Sequence, residues 1–96
     1  MIRVINYEFS LTNDINETSM LKCELEGSLK FNIPLESFYL KMFDENQELK
    51  EYCDNFKDYE SFTEDLIELD FNFYDEIQDY INQFDELQIK MFSLYC

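Results

Sequence analysis

The hydrophobic pattern changes period once, at the single proline, Pro34, and that change most constrains how this 96-residue chain can fold. Upstream of it, Ile5, Tyr7, Phe9 and Leu11 alternate with Asn6, Glu8 and Ser10, the period-2 signature of a half-buried strand. Thr12 to Ser19 is polar and reads as a loop. Leu21, Cys23 and Leu25 then share one face, and Leu29, Phe31 and Ile33 share another run of the same parity. A three-residue turn at Glu26-Gly27-Ser28 pairs Leu25 with Leu29, Cys23 with Phe31 and Leu21 with Ile33. A two-residue turn would place Ser28, Lys30 and Asn32 on the apolar face instead. The expectation is a three-stranded antiparallel meander with one apolar face, the alternative being one long strand through Gly27.

Downstream, Leu35, Phe38, Tyr39, Met42 and Phe43 fall at i, i+3, i+4, i+7 and i+8, an amphipathic helix with Pro34 in its first turn. Leu49, Tyr52, Cys53 and Phe56 keep that phase, which predicts a helix over 35–56, open to interruption near Asp44. Ser61-Phe62-Thr63-Glu64 is a capping-box pattern. Its buried stripe is Tyr59, Phe62, Leu66 and Leu69, and the helix should stop near Leu69, because continuing it would point Asp70 into the core. Asn72-Phe73-Tyr74-Asp75 resembles a second capping box. Phe73, Ile77, Tyr80, Phe84 and Leu87 form its stripe, with Asp75, Asp79, Asn82 and Glu86 facing away. Residues 88–96 read as helix with Met91 and Leu94 in phase and Ile89 and Phe92 exposed; a strand on the open edge of the meander is the alternative. The fold class is therefore α+β: one domain over 1–96, a meander over 1–33, and two to three acidic amphipathic helices over 34–96.

Charge is segregated in the same way. The chain has 22 acids and 7 bases, a net of −15. Residues 1–41 hold six acids against four bases, whereas residues 42–96 hold sixteen against three. From Asp58 to Glu86 there are eleven acids and no Lys or Arg. Solvated helix faces ordinarily interleave Lys with Glu, since i,i+4 pairs stabilise and like charges at that spacing destabilise. A 29-residue stretch without one such pair accepts self-repulsion, the asymmetry expected of an interaction surface.

Several chemistries are excluded. The chain has no His, which removes Ser-His triads, His general bases, Glu-x-x-His di-iron sites and a base for a nucleophilic cysteine. One Gly leaves no glycine-rich phosphate loop. Asp44-Glu45-Asn46-Gln47-Glu48-Leu49 begins like a calcium loop, but Leu49 stands where Gly is required and Asn55 where the bidentate Glu belongs. A glycosidase needs two carboxyls across a concave sugar site, and no Trp is present to stack on sugar. The expectation is a protein that is not an enzyme, with no catalytic residue, cofactor or metal. A pI near 4.1 opposes direct binding to nucleic acid or anionic membrane. No apolar run of 18 residues exists and the N-terminus lacks a leader pattern, so a cytoplasmic location is expected. Cys23, Cys53 and Cys96 read as reduced thiols, the first two in the core. Abundant Phe, Asn, Ile and Tyr with no Ala point to an AT-rich genome.

What remains is the acidic face as a whole. Glu60, Glu64 and Glu68 repeat every four residues, about 6 Å of helical rise per step. Asp75 and Asp79 repeat that step on the next helix, and Asp65, Asp70 and Glu86 complete the candidate surface. Phe73 reads as core; Phe71 and Tyr74, set among the acids, are candidate aromatic anchors. A nucleic-acid strand is also a row of fixed negative charges, one per ~3.4 Å, and phosphate contacts carry no sequence information. A groove lined by Lys and Arg therefore accepts either.

The tract DYESFTEDLIELDFNFYDE, in a small acidic α+β chain, resembles in type the phage-encoded anti-CRISPR proteins that imitate DNA. That resemblance implies a partner, a Cas nuclease or Cascade-type effector whose DNA groove is filled, within a bacterial host cell; it carries over no site residue. Two other classes fit the composition. One is an immunity protein or antitoxin that blocks a basic nuclease toxin. The other is an assembly or adaptor subunit, for which Ile89 and Phe92 would lie at a protein interface. Monomer and dimer are both compatible with the sequence.

Overall fold

The computed structural model describes residues 1–95. Three strands, β1 (Val4–Ser10), β2 (Met20–Leu25) and β3 (Leu29–Pro34), form an antiparallel sheet in the order β1-β2-β3. The hairpin has the expected register, Leu25 opposite Leu29, Cys23 opposite Phe31 and Leu21 opposite Ile33. Gly27 and Ser28 both take left-handed backbone, φ 81° and 62°, which ends β2 and excludes a continuous strand. In β1 the register slips between Val4 and Asn6. The extra residue is Ile5, so it is 64% exposed although alternation had placed it on the apolar face. The bulge resets the parity: Ile2 and Val4 face the core before it, Tyr7 and Phe9 after it.

Five helices follow: α1 (Leu35–Glu45), α2 (Gln47–Cys53), α3 (Tyr59–Glu68), α4 (Tyr74–Asn82) and α5 (Glu86–Ser93). Pro34 ends β3, opposite Met20, rather than entering the first helical turn, and the Leu35 N–H is donated to the Ser19 carbonyl at 3.0 Å. The predicted 35–56 helix is two helices, because the Asn46 side chain accepts from the Leu49 N–H and starts α2 anew. The α1 stripe is buried as expected. In α2, Leu49 and Cys53 are buried, whereas Tyr52 is 38% exposed and Phe56 lies beyond the helix, half-buried.

The core is aromatic. The Phe62 ring lies 5.1 Å from Tyr39, 5.5 Å from Phe56 and 6.0 Å from Tyr52, joining α1, α2 and α3. Thr63 is fully buried on α3; its hydroxyl donates to the Tyr59 carbonyl, so the Tyr39 hydroxyl donates to Thr63. Burial pushes the Tyr39 hydroxyl far above its ordinary pKa. α5 runs beside β3, its Ser93 hydroxyl accepting from the Lys30 N–H at 2.9 Å. The opposite face of the sheet presents Asn6, Glu8, Lys22, Glu24 and Lys30 to solvent.

The C-terminal segment is helical, as read, but in a different phase. α4 ends at Asn82, and Asp85 starts α5 with a capping box to Gln88. That break rotates the stripe: Ile89, expected outside, is 2% exposed, whereas Phe92 is exposed as expected, at 43%, with one side of its ring against Phe31 and Phe84 at 5.5 and 5.6 Å. Leu87, Met91 and Leu94, read as in phase with the core, face solvent instead. Ile81, absent from the predicted stripe, is fully buried.

Candidate partner-binding face

α3 starts three residues earlier than Ser61. Asp58 is its N-cap, and its carboxylate accepts the Ser61 N–H at 2.8 Å. Asp and Ser are nearly equivalent caps, so the choice falls to whichever start lets Tyr59 join the core. The cap bond holds the Asp58 carboxyl below the ordinary carboxylate range. At the other end Asp70 takes φ 58°, its N–H bonds the Ile67 carbonyl, and the Phe71 N–H bonds the Leu66 carbonyl. This pair of bonds is a Schellman stop with Asp in the place usually held by Gly. It ends the helix where predicted and keeps Asp70 out of the core. The second capping box is not formed: Phe73 is the N-cap of α4 and makes no side-chain cap bond, while Asn72 accepts from the Tyr74 N–H two residues on, at 2.9 Å, a local turn before the helix.

α4 is tied to the sheet by a residue the sequence did not flag. Gln78 accepts the Val4 N–H and donates to the Ile2 carbonyl, both at 2.9 Å, taking the place of a neighbouring strand at the β1 edge. Phe73, Ile77 and Ile81 bury the rest of the α4 stripe.

The eight predicted acids do not form one uniform row. Glu60 is half-buried and accepts the Ser19 hydroxyl at 2.7 Å, so it is not equivalent to Glu64 and Glu68. Asp65 accepts the Tyr52 hydroxyl, which raises the phenol's pKa. Glu86 sits on α5, beyond the helix break, and pairs with Lys90 at 3.3 Å. Glu64, Glu68, Asp70, Asp75 and Asp79 are exposed, and among the described residues none of their side chains has a hydrogen bond or ion pair. The two helices take different partners, α3 packing on α1 and α2 through Phe62, α4 on α1 and β1. Of the aromatic candidates, Phe73 is buried, Phe71 is half-buried and Tyr74 is exposed.

Glu76 is a further member of the acidic set. It is half-buried, and its Oε2 is buried with no hydrogen-bond partner. Burial pushes its carboxyl above the ordinary range, and Asp75, Asp79 and Glu45 push it further. Glu45 belongs to α1, so the negative field reaches beyond the tract read from the sequence. Between β1 and the α3–α4 turn lies an open groove of about 570 Å³, floored by Tyr7, Phe9, Phe71 and Phe73, with Glu8 and Asp70 among its lining residues.

Cys23 and Cys53 are free and buried; burial lifts the Cys23 thiol to about 12 and the Cys53 thiol above its usual value, so neither is a thiolate near neutrality. Cys96 lies outside the described residues. Among the described residues no three Cys, Asp or Glu side chains converge to hold a metal ion, and no helix is long and apolar enough to cross a membrane. Comparison with protein-family models, curated protein sequences and solved structures returns no match.

Proposed function

We propose that this protein is a non-enzymatic inhibitor that occupies the nucleic-acid-binding groove of a basic protein with the acidic surface of α3 and α4. The target class is a Cas effector, and the setting is a phage anti-CRISPR protein acting in the cytoplasm of a bacterial host. The observation that carries this reading is the set of five exposed, unpartnered carboxylates, Glu64, Glu68, Asp70, Asp75 and Asp79. An acid used only for solubility gains by pairing with a lysine one turn away, as Glu45, Asp54 and Glu86 do. These five forgo it, and their charge remains available to a cationic groove, giving fast, salt-sensitive association. The test is a DNA-cleavage assay with purified Cas nucleases and Cascade-type effectors. Wild type should inhibit an effector, and Glu64→Lys, Glu68→Lys, Asp75→Lys and Asp79→Lys combined should abolish that inhibition with an unchanged far-UV spectrum. Full inhibition by the reversed variant would place the inhibitory surface elsewhere.

The assembly-subunit reading has an observation of its own. Leu87, Met91, Leu94 and Tyr95, at i, i+4, i+7 and i+8, are all largely exposed on one side of α5 and its last turn. Of the two residues expected at such an interface, Ile89 is buried and Phe92 is exposed. Sedimentation equilibrium tests it: an oligomer that Met91→Lys dissociates favours that reading, and a monomer at all concentrations opposes it.

A further inference from the structure

We propose that the groove between β1 and the α3–α4 turn is a seat for an arginine side chain of the basic partner. This rests on the function proposed above, to which it adds the anchor point. The floor is aromatic: Phe9 and Phe71 each stand 4.8 Å from Phe73, inclined at 65° and 63°, with Tyr7 6.3 Å away. Phe73 is buried, but Tyr7, Phe9 and Phe71 are only half-buried and keep ring surface open to the groove. Aromatic surface beside carboxylate suits a guanidinium, which is flat, weakly hydrated and able to stack while its edge donates to oxygen.

Asp70 supplies that oxygen. It stands just past the C-terminus of α3, where the helix dipole also favours a cation. It is exposed, and its side chain has neither a hydrogen bond nor an ion pair among the described residues. Its position is set in advance, because the N–H groups of both Asp70 and Phe71 are bonded back to α3. Glu8, exposed on β1, lines the same groove. A lysine fits less well, being a compact, strongly hydrated charge that gains less from the rings. The groove also lies at the turn between α3 and α4, the two helices that carry Glu64, Glu68, Asp75 and Asp79. Arginine is the side chain that proteins use most readily for bidentate phosphate contacts, so a nucleic-acid groove would present it here.

The experiment is a ¹H–¹⁵N titration of the full chain with three probes: the N-acetyl methylamides of arginine, lysine and citrulline. Citrulline matches arginine in shape without its charge. The arginine probe should shift the amides of Phe9, Phe71 and Asn72 saturably and bind about threefold more tightly than lysine, with no shift from citrulline. Phe71→Leu should erase the preference for arginine, and Asp70→Asn should weaken both cations. Equal response to arginine and lysine, shifts spread evenly along α3 and α4, or no shift at all would overturn the proposal. The titration uses the isolated chain, so its failure is distinct from that of the inhibitor reading, which the cleavage assay decides.

Discussion

Truncating Phe62 to Ala should remove a large part of the stability of this fold. The ring is fully buried and touches Tyr39, Phe43, Tyr52 and Phe56, so three helices lose a common contact. Returning a Phe side chain to water costs about 2–3 kcal/mol. The cavity adds to this: removing about 100 Å³ at about 24 cal/mol per Å³ gives roughly 2 kcal/mol more. The expected loss is about 4–5 kcal/mol, within the range of measured Phe-to-Ala changes. A domain of this size has a total of about 5–15 kcal/mol, and the melting temperature should fall by roughly 15–40 °C. Urea titration followed by far-UV circular dichroism measures the free energy directly. Ile67→Ala on the same helix is the control; Ile67 is exposed, and its truncation should cost under about 1 kcal/mol. A loss below about 1.5 kcal/mol for Phe62→Ala, or one no larger than the control's, would refute the claim that α1, α2 and α3 converge on this ring.

Three further perturbations test other parts of the structure. Glu76→Gln should stabilise the protein at pH 7, because the native carboxyl is held above its unfolded value by burial and by Asp75, Asp79 and Glu45. A raised native value contributes stability below the unfolded pKa and loses it as pH rises through the native one. The advantage of the Gln variant should therefore vanish below about pH 4, and melting curves across pH would show it. Gln78→Ala removes both bonds to the β1 backbone and should cost about 1–3 kcal/mol, with faster hydrogen exchange at the Val4 amide. Raising sodium chloride from about 20 to about 200 mM should increase the melting temperature, since the net charge is −15 and the three ion pairs found among the described residues are all exposed. A decrease would mean that attractive pairs outweigh the repulsion.

The meander was legible because its hairpin has a single self-consistent register: any shift of one residue puts Ser28, Lys30 and Asn32 into the core. The α1 stripe and the stop at Leu69 were legible for the same reason, each alternative burying a charge. Three features were not. The bulge at Ile5 leaves no mark in a local alternation, and only pairing with β2 reveals that Ile2 and Val4 belong to the core. The break at Gln83–Asp85 lies between two stretches that can be joined in helical phase, and that phase points Leu87 and Met91 inward and Ile89 outward. Asp58 and Ser61 compete as caps for one helix, and the burial of Tyr59 decides between them. The acidic face was visible in composition, but its inequality was not: Glu60 and Asp65 are held by Ser19 and Tyr52, contacts across 41 and 13 residues that no local pattern encodes.

The most direct test of the central claim is capture and release. The tagged chain would be incubated with lysate of a low-GC bacterium carrying CRISPR and toxin systems, then eluted separately with competing DNA and with a salt gradient. The captured partner should be a basic nucleic-acid-binding protein that both DNA and salt release, and that the Lys-substituted α3–α4 variant fails to capture. A single partner that stays bound through excess DNA, or that the variant captures equally well, would contradict it.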